Sequence, residues 1–271
     1  MLIEHKSLHA SGLMNRTNSL QHITIDQFGP QNPDDIPWLD HVWRVGWDLP
    51  DGVIHPQQTL PFPSCHIVFD TNRGAALHGC SSKRFDYDVS GHGVVLGLRL
   101  PPAAQSAFTD TDPRQLVDSS IPIEQVFSAQ TVEKLPEISA TTRPDIPTIS
   151  EILRVLNAVA RPLSQAAQNV QSLIKRVQMS PDLWRMTDLE QASDLSERQL
   201  QRLFATHLGL SPKWVIDRFR MHDALDALEE GANVDLADLA ARLGFTDQAH
   251  FSNRFKAMTG AAPGVYLRRN R

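Results

Sequence analysis

A helix-turn-helix pattern occurs twice in the C-terminal half of the chain, and this repeat restricts the fold more than any other feature. The first copy contains Leu200, Phe204, Gly209 and Pro212, and 51 positions later the second copy has Phe251, Phe255, Gly260 and Pro263. Before the turn, Leu189 corresponds to Leu239, so the second copy has one additional turn residue. Apolar residues at helical spacing on both sides of a turn predict two helix-turn-helix units.

The second helix of each unit has a polar face opposite its apolar stripe. In the first unit the residues on this face are Arg198, Gln201 and Arg202. In the second unit they are Gln248, His250 and Asn253, with Arg254, Ser252 and Lys256 suited to phosphate contacts. Arginine donates two hydrogen bonds to guanine, and glutamine or asparagine pairs with adenine. The two faces therefore predict base-reading helices, and the alternative is a pair of solvated helix faces.

Individual residues of the second copy match a known family. The most specific are Gly244-Phe245, Gln248, Phe251-Ser252, Phe255-Lys256, Gly260 and Pro263. With these residues, the region from about Gln168 to the C-terminus resembles the double helix-turn-helix DNA-binding domain of the AraC/XylS family of bacterial transcription regulators. Ala262 departs from the family pattern, in which threonine usually precedes the proline, and His250 replaces a tyrosine or threonine. The resemblance implies binding to double-stranded DNA through the polar residues named above.

Between the two copies, Ser211-Pro212 opens a long predicted helix that ends at Glu229. A continuous helix fixes the relative orientation of the two units. Such rigidity matters because two reading helices reach successive major grooves only when they are held about 34 Å apart.

The N-terminal half contains short β-branched or aromatic runs bounded by Gly, Pro and Asn, at residues 41–47, 65–69, 84–89 and 93–100. They predict a small antiparallel β-sandwich or barrel, with short helices at residues 102–108, 113–117 and 123–127. This half is similar to the cupin-like sensor domains that precede AraC-type DNA-binding domains. That similarity implies effector binding or dimerisation.

Six side chains of this half are candidates for ligand binding at the mouth of the barrel: Trp43, Arg44, Trp47, His66, His78 and Arg99. Strand alternation places Trp43 and Trp47 on one face and Arg44 on the other. The alternative for both tryptophans is a place in the core.

The scattered histidines, His41, His55, His66, His78 and His92, lack the close His-x-His spacing of a metal site, so we predict no metal and no cofactor. Cys65 and Cys80 do not form a clustered zinc pattern and are expected to be reduced, buried thiols. The alternative is a redox pair, which requires the two sulfurs to be adjacent in space.

The segment from Pro136 to Pro147, which includes Thr141 and Thr142, is rich in proline and predicts an interdomain linker. After it, apolar spacing predicts an amphipathic helix at residues 150–160, either a dimerisation helix or one packed on the sensor domain. Ser164 caps a further helix that runs through Gln178. We therefore predict a sensor domain at 1–135, a linker with a helix at 136–163, and a DNA-binding domain at 164–271.

The overall prediction is an α+β protein: an N-terminal antiparallel β-sandwich or cupin-like barrel with flanking helices, followed by an all-α domain in which a long helix joins two helix-turn-helix units. The net charge of −5 is unevenly distributed, since residues 1–163 carry −6 and residues 164–271 carry +1. A nearly neutral DNA-binding domain predicts modest non-specific affinity for DNA. No apolar run has the length of a membrane span and no leader pattern is present, which predicts a cytoplasmic protein without membrane contact.

The predicted function is that of a transcription regulator, an activator or a repressor, controlled by a small-molecule effector whose identity the sequence does not specify. RNA polymerase and a second copy of the chain are further candidate partners. One alternative is an N-terminal interaction or dimerisation module without a ligand. The other is an enzyme-like domain fused to the DNA reader, although no nucleophile elbow and no Ser-His-Asp order is present and we predict no catalytic residue.

Overall fold

The computed structural model describes residues 2–4, 12–139, 143–180, 183–230 and 234–269. The strands are β1 (Leu2–Glu4), β2 (Thr24–Pro30), β3 (His41–Asp48), β4 (Ile54–Thr59), β5 (His66–Asp70), β6 (Gly74–His78), β7 (Phe85–Ser90), β8 (His92–Arg99) and β9 (Ser120–Pro122). Seven of them form one antiparallel sheet in the order β1-β2-β3-β8-β5-β6-β9, and β4 pairs with β7 in a separate ribbon. The predicted antiparallel β-domain is confirmed.

The large sheet has an apolar residue set on each face. On one face, Val42, Ile67 and Leu98 join the core that is covered by helices. On the other face, Trp47 and Val95 pack against Val89 of the β4–β7 ribbon. The N-terminal domain is therefore a sandwich in which a two-stranded ribbon covers part of a seven-stranded sheet.

Two glycines of β8 make room for the tryptophans of β3. Trp43 lies opposite Gly97 and Trp47 lies opposite Gly93 in the antiparallel register. A Cβ atom would lie 2.1 Å from the Trp43 indole at residue 97 and 2.3 Å from the Trp47 indole at residue 93. The absence of a side chain at these positions lets both indoles lie flat across the neighbouring strand.

Short helices flank the sandwich: α1 (Arg16–Ser19), 3₁₀ turns at Pro33–Asp35 and Ala104–Ala107, α2 (Pro113–Leu116), α3 (Ile123–Val126), α4 (Ala129–Val132) and the longer α5 (Ile146–Asn157). The short helices predicted after β8 are confirmed at these positions. Helix α5 begins earlier than the predicted residue 150 because the Asp145 carboxylate caps it, accepting from the backbone N–H of Thr148 at 2.9 Å. Thr141 and Thr142 of the predicted linker lie outside the described residues.

Helix α5 packs on the sandwich, which is one of the two alternatives for this segment. The indole N–H of Trp38 donates to Oδ1 of Asn157 at 3.0 Å. The backbone N–H of Arg161 donates to the carbonyl of Ala107 at 2.9 Å. Ile152 and Leu156 are fully buried in the core beneath the sheet.

The C-terminal helices are α6 (Gln165–Met179), α7 (Met186–Ser193), α8 (Glu197–His207), α9 (Pro212–Glu230), α10 (Leu236–Arg242), α11 (Gln248–Thr259) and α12 (Pro263–Arg269). Helices α7–α8 and α10–α11 are the two predicted helix-turn-helix units, and α9 is the long helix between them. The repeated glycines have a positive φ, 77° at Gly209 and 84° at Gly260, which explains why glycine follows the second helix of each unit.

Two apolar cores connect the N-terminal and C-terminal halves. The first extends from Leu98 in the sheet through Ile152 of α5 to Val170 of α6 and Phe204 of α8. The second joins Met14, before α1, and Leu60, after β4, to Met221, Phe251 and Phe255 of the C-terminal half. Within the described ranges, no helix combines the length and the apolar character needed to cross a membrane.

Candidate functional site

The first reading helix, α8, has an exposed polar face. Arg198, Gln201 and Arg202 are exposed, whereas Leu200 and Phe204 on the opposite side are 0% exposed. The side-chain amide of Gln201 donates to Oε1 of Glu197 at 2.9 Å, one turn earlier. The structure therefore brings the three predicted residues together on one accessible face.

The second reading helix, α11, begins at Asp247, whose carboxylate accepts from the backbone N–H of His250 at 2.7 Å. Its buried stripe is Phe251 and Phe255. Four predicted contact residues are exposed, namely Gln248, His250, Asn253 and Lys256. Ser252 is half-buried. The arrangement provides a second accessible polar face.

Arg254 differs from the other predicted contacts because it forms an ion pair with Asp217 of α9. Asp217 is buried, while the side chain of Arg254 is 42% exposed. The ion pair holds the guanidinium at the edge of α11, so this side chain is positioned by the protein before any DNA contact.

Helix α9 also anchors the turn of the second unit through Arg220. Its Nε donates to the carbonyl of Leu243 at 2.7 Å, its Nη1 lies 3.5 Å from Asp217, and its guanidinium lies 3.7 Å from the ring centroid of Phe245. Burial lowers the pKa of Arg220, although Asp217 raises it. Sequence reasoning missed both charged residues, although apolar residues on all faces of this long helix were a usable signal that its charges are buried.

Four of the six predicted ligand residues lie together on the sheet face toward the ribbon. His66 pairs in register with both His78 and Arg99, and the indole N–H of Trp43 donates to Nδ1 of His66 at 3.1 Å. Burial, with the nearby cations, lowers the pKa of His66 to about 3. The ring is therefore neutral at physiological pH, and its proton resides on Nε2 because Nδ1 is the acceptor.

Arg99 connects this group to the domain junction. Its Nε donates to Oγ of Ser64 at 3.1 Å and lies 3.3 Å from the carboxylate of Asp40, and its guanidinium lies 4.3 Å from the ring centroid of Phe62. The ring of Phe62 in turn stacks on His222 of α9 at a centroid distance of 3.7 Å. Asp40, Ser64 and Phe62 precede their strands and carried no pattern that sequence reasoning could use.

The other two predicted ligand residues are not part of this group, although Trp47 shares its sheet face. Arg44 is on the opposite face of β3, where it pairs with Asp26 at 2.7 Å and lies 5.2 Å from the ring centroid of Phe28. Trp47 is 6% exposed, and its indole N–H donates to the carbonyl of Ser90 at 3.1 Å. One edge of Trp47 lines a groove of about 650 Å³, which also contains His22, Asp48, His92 and Arg143.

Gln57 is a polar residue of the sandwich interior that sequence reasoning missed. It lies opposite Tyr87 in the β4–β7 ribbon, and directly opposed residues of an antiparallel pair share a face, so it points toward the large sheet. Gln57 is 8% exposed, and in the part of the chain that the structure describes neither its amide oxygen nor its amide nitrogen has a hydrogen-bond partner. Buried amides are normally paired, so Gln57 is a candidate for ligand contact.

The two cysteines meet the distance condition of a redox pair, with Sγ atoms 3.9 Å apart and both side chains buried. The hydrogen bond with Cys65, together with burial, raises the pKa of Cys80 well above its usual value. Protonated thiols are poor nucleophiles, so this environment disfavours thiol exchange. Among the described residues, no group of three or more His, Cys, Asp or Glu is arranged to hold a metal ion.

Comparison with protein families identifies the C-terminal half. Residues 189–269 match a helix-turn-helix domain, and residues 36–122 match a domain of unknown function. Over these residues the chain forms a helix-turn-helix domain that resembles those of AraC-type regulators. The family resemblance inferred from the repeated motif is thereby confirmed.

Several curated relatives are transcription regulators. The chain is 30% identical over 95 residues to the HTH-type transcriptional regulator MtrA of Neisseria gonorrhoeae, covering 35% of this chain and 31% of MtrA. It is 34% identical over 79 residues to the raffinose operon regulatory protein RafR of Pediococcus pentosaceus, covering 29% of this chain and 28% of RafR. The transcriptional activator AarP of Providencia stuartii is 32% identical over 81 residues, covering 30% of this chain and 59% of AarP. The chain thus spans about a third or less of MtrA and RafR.

Two solved structures resemble the chain at low scores. ToxT from Vibrio cholerae is 12% identical with a TM-score of 0.41, covering 91% of this chain and 97% of ToxT. The C-terminal domain of AraT from Geobacillus stearothermophilus is 25% identical with a TM-score of 0.35, covering 39% of this chain and 88% of that domain.

Proposed function

We propose that the protein is a sequence-specific DNA-binding transcription regulator, without enzymatic activity, whose N-terminal sandwich binds a small-molecule effector. The observation that carries this proposal is the pair of exposed polar helices within an AraC-type helix-turn-helix domain. The curated relatives support it, since they are named as transcription regulators.

In this proposal α8 and α11 enter successive major grooves of double-stranded DNA, and α9 sets their spacing. Arg198 and Arg202 donate to guanine, and Gln201 pairs with adenine. On α11, Gln248 and Asn253 contact base edges, and Lys256 contacts phosphate.

The remaining α11 contacts are His250 to a base edge and Ser252 to phosphate. Arg254 reaches phosphate while it keeps its ion pair with Asp217. Because residues 164–271 carry a net charge of only +1, affinity depends on these placed contacts more than on bulk charge.

We place the effector against Trp43, His66, His78 and Arg99, inside the sandwich. The indole offers a flat apolar surface, the Nε2–H of neutral His66 donates, and Arg99 supplies a charge that Asp40 partly balances. Gln57 adds a buried donor and acceptor. This chemistry suits a small, planar, polar molecule. Trp47, at the groove, and Arg44, on the far face of β3, do not contact the effector at this position.

Effector binding affects the DNA-binding helices through the contacts between the sandwich and α9. Arg99 contacts Phe62, and Phe62 stacks on His222 of α9 at 3.7 Å. A ligand that binds more tightly to one arrangement of this junction shifts the population of that arrangement, which changes the presentation of both reading helices.

The test selects bound sequences from a random pool of double-stranded DNA with the full-length chain. Arg202→Ala is expected to weaken binding by about 1 to 3 kcal/mol and to relax base preference at one position of the selected sequence. Arg154→Ala, which removes an exposed arginine of α5 that belongs to neither reading helix, is the matched control and leaves affinity unchanged. Failure of the wild-type chain to enrich any sequence would overturn the proposal.

The same selection tests partnership with a second copy of the chain. Two copies bound together enrich paired half-sites at a fixed spacing, whereas a single copy enriches one bipartite site. For the effector site, the full-length chain is screened for ligand-dependent thermal stabilisation. A ligand that stabilises the wild-type chain and not the Gln57→Leu variant supports the sandwich site, and equal stabilisation of both places the ligand elsewhere.

A further inference from the structure

Two buried cysteines lie side by side where the sheet meets α9. Cys65 immediately precedes β5 and Cys80 follows β6, so the β5–β6 hairpin brings them together. Their Sγ atoms are 3.9 Å apart, and the residues are 3% and 2% exposed. A disulfide holds its sulfurs at about 2.05 Å, so this is a pair of separate thiols.

The sulfur separation matches that of two ligands on one metal ion. Two metal–thiolate bonds of about 2.3 Å place their sulfurs about 3.8 Å apart at a tetrahedral angle and about 4.6 Å apart when collinear. The observed 3.9 Å lies within this range, so an ion fits between the thiolates with small side-chain rotations.

Arg218 of α9 is a buried charge beside the same pair. It is 0% exposed, its Nη2 donates to the carbonyl of Ser82 at 2.7 Å, and its Nε and Nη1 have no hydrogen-bond partner among the described residues. Its guanidinium lies 4.4 Å from the ring centroid of Trp214. It interacts electrostatically with Cys80 and with the exposed carboxylate of Asp118, which is bound to Ser82.

A buried guanidinium with two nitrogens unpaired among the described residues is costly unless an anion compensates it, and the exposed, solvent-screened carboxylate of Asp118 does so only in part. Two neutral thiols do not compensate it, and a disulfide is neutral as well. Two thiolates with a divalent cation are also neutral overall, and zinc requires more ligands than this pair offers. Two thiolates with a monovalent cation carry a charge of −1, which balances the charge of Arg218.

We propose that Cys65 and Cys80 form a two-thiolate site for a soft monovalent cation, of the Cu(I) or Ag(I) class, and that Arg218 neutralises the complex. Thiolates are the ligands that favour Cu(I). On binding, both S–H bonds break, two metal–sulfur bonds form and two protons pass to solvent, with no transfer of electrons.

The site also contacts the DNA reader. Sγ of Cys65 lies 3.8 Å from Oε1 of Gln105, whose Nε2 donates to the carbonyl of His207 at the end of α8 at 2.8 Å. A bound cation replaces the thiol proton in this chain of contacts. It also changes the charge beside Arg218, which is itself a residue of α9. On the proposed function, which this step requires, the cation is an effector that alters DNA affinity.

The experiment uses the reduced full-length chain without oxygen and supplies Cu(I) as the complex of a chromogenic chelator. We expect transfer of one Cu(I) per chain, measured by loss of the chelator colour. Cys65→Ser and Cys80→Ser, which are near-isosteric, each abolish transfer. Arg218→Met weakens Cu(I) affinity by about 10- to 100-fold, the range for groups next to metal ligands.

Arg220→Met is the matched control, because Arg220 is a buried arginine of the same helix that contacts the second unit instead. It leaves Cu(I) affinity unchanged. Thermal melting of each variant without copper shows whether it is folded. For a variant that does not fold, Ag(I) titration of the wild-type chain before and after thiol alkylation provides the second measurement.

No retention of Cu(I) by the wild-type chain would overturn the site, as would retention by both serine variants. Oxidation of the two thiols to a disulfide, detected as a mass loss of two hydrogens, would also overturn it. Equal affinity in Arg218→Met would overturn the role of the guanidinium. Copper binding is measured without DNA, so copper bound with no change in DNA affinity overturns only the effector role.

Discussion

The two helix-turn-helix units have the same internal pattern, yet they are attached to the sandwich in different ways. Phe204 of the first unit lies in the core that continues into the sheet, and the carbonyl of His207 accepts from Gln105 at 2.8 Å. The second unit has its own core around Phe255, and the sandwich reaches it with Met14, Leu60 and polar contacts. Two units with the same sequence pattern are therefore not attached to the sandwich equally, because the attachment depends on which surface each unit buries against it.

The attachment of the second unit is a short strap at residues 12–16. Met14 is 1% exposed within the core of this unit, the backbone N–H of Asn15 donates to the hydroxyl of Tyr266 at 2.9 Å, and Arg16 pairs with Asp226 at 3.1 Å. Arg84 adds a hydrogen bond to the carbonyl of Thr259 at 2.6 Å. These contacts are few and largely polar, so the second unit is expected to open at a lower free energy than the first.

The largest effect is expected from truncating the equivalent core phenylalanines. Phe204→Ala and Phe255→Ala each remove a fully buried ring, at a cost of about 3 to 5 kcal/mol. Phe204→Ala lowers the free energy of unfolding of the sheet and the first unit together, whereas Phe255→Ala lowers protection only in the second unit and the end of α9. Hydrogen-exchange mass spectrometry of both variants measures this. Loss of hydrogen-exchange protection in the sheet of Phe255→Ala would show that the second unit is attached to the sandwich as tightly as the first.

The two glycines that follow the reading helices provide a matched pair. A Cβ at residue 209 would lie 2.5 Å from the backbone carbonyl oxygen of Pro113, whereas at residue 260 it would lie 2.2 Å from the side chain of Arg84. The neighbour at residue 209 is the backbone of α2, which cannot yield without moving the helix, whereas the neighbour at residue 260 is the end of a flexible side chain. Both substitutions also pay about 1 to 2 kcal/mol for a left-handed residue with a side chain.

Gly209→Ala is therefore expected to destabilise the protein by about 3 kcal/mol, from backbone strain and displacement of the first unit. Gly260→Ala is expected to cost about 1 to 2 kcal/mol, mostly from the left-handed conformation. Chemical denaturation of the two variants measures the difference. Equal costs would show that the first unit is not held more tightly against the sandwich than the second.

Sequence reasoning reached the two units because helical periodicity, caps and turn glycines are local signals. It also reached the alternation of β3, which places Trp43 and Val45 on the face opposite Val42, as the two apolar cores show. It did not reach the contacts that join the halves. Arg218 and His222 look like the solvated charges of a long helix, and only the tertiary packing of α9 against Pro61 and Ser82 buries them.

The same limit applies to the candidate sites. His66 and Arg99 could be selected from their residue types, but their proximity follows from the pairing of β5 with β8, which are separated by two other strands in the chain. Arg44 is a candidate by residue type alone, and the pleat places it on the far face, as strand alternation predicts. Pairing register, which a single sequence does not specify, decides which side chains converge.

A smaller effect is expected from the hydrogen bond that ties the strap to the last helix. Tyr266→Phe removes the hydroxyl that accepts from Asn15 and donates to Glu229. We expect a loss of about 1 kcal/mol, confined to the second unit and the strap. Hydrogen exchange at residues 12–16 is the measurement, and Ser193→Ala, which removes a side-chain hydrogen bond within the first unit, is the control that leaves exchange of the strap unchanged. Unchanged exchange of the strap in Tyr266→Phe would show that Met14 and the Arg16–Asp226 ion pair hold it without this hydrogen bond.

The smallest effect is expected from Asp223 of α9, close to the strap's ion pair. Partial desolvation, with repulsion from Asp226, raises the pKa of Asp223 to about 6, although the side chain remains exposed. A carboxyl with a raised pKa in the folded state binds its proton more tightly when folded, so stability is retained near pH 4 and declines as the pH rises through 6. Asp223→Asn removes this decline and stabilises the protein at pH 7 by a few tenths of a kcal/mol, since the side chain is exposed and screened.

At pH 4 the two proteins are expected to have equal stability, because the carboxyl of Asp223 is then protonated in the folded state. Denaturation of wild type and Asp223→Asn at pH 4 and pH 7 checks both values. Asp226 pairs with Arg16 of the strap, so neutralising Asp223 lowers the negative charge beside that ion pair. The change in stability should therefore be confined to the second unit and the strap. A pH-dependent change in the first unit would mean that α9 transmits charge changes along its full length.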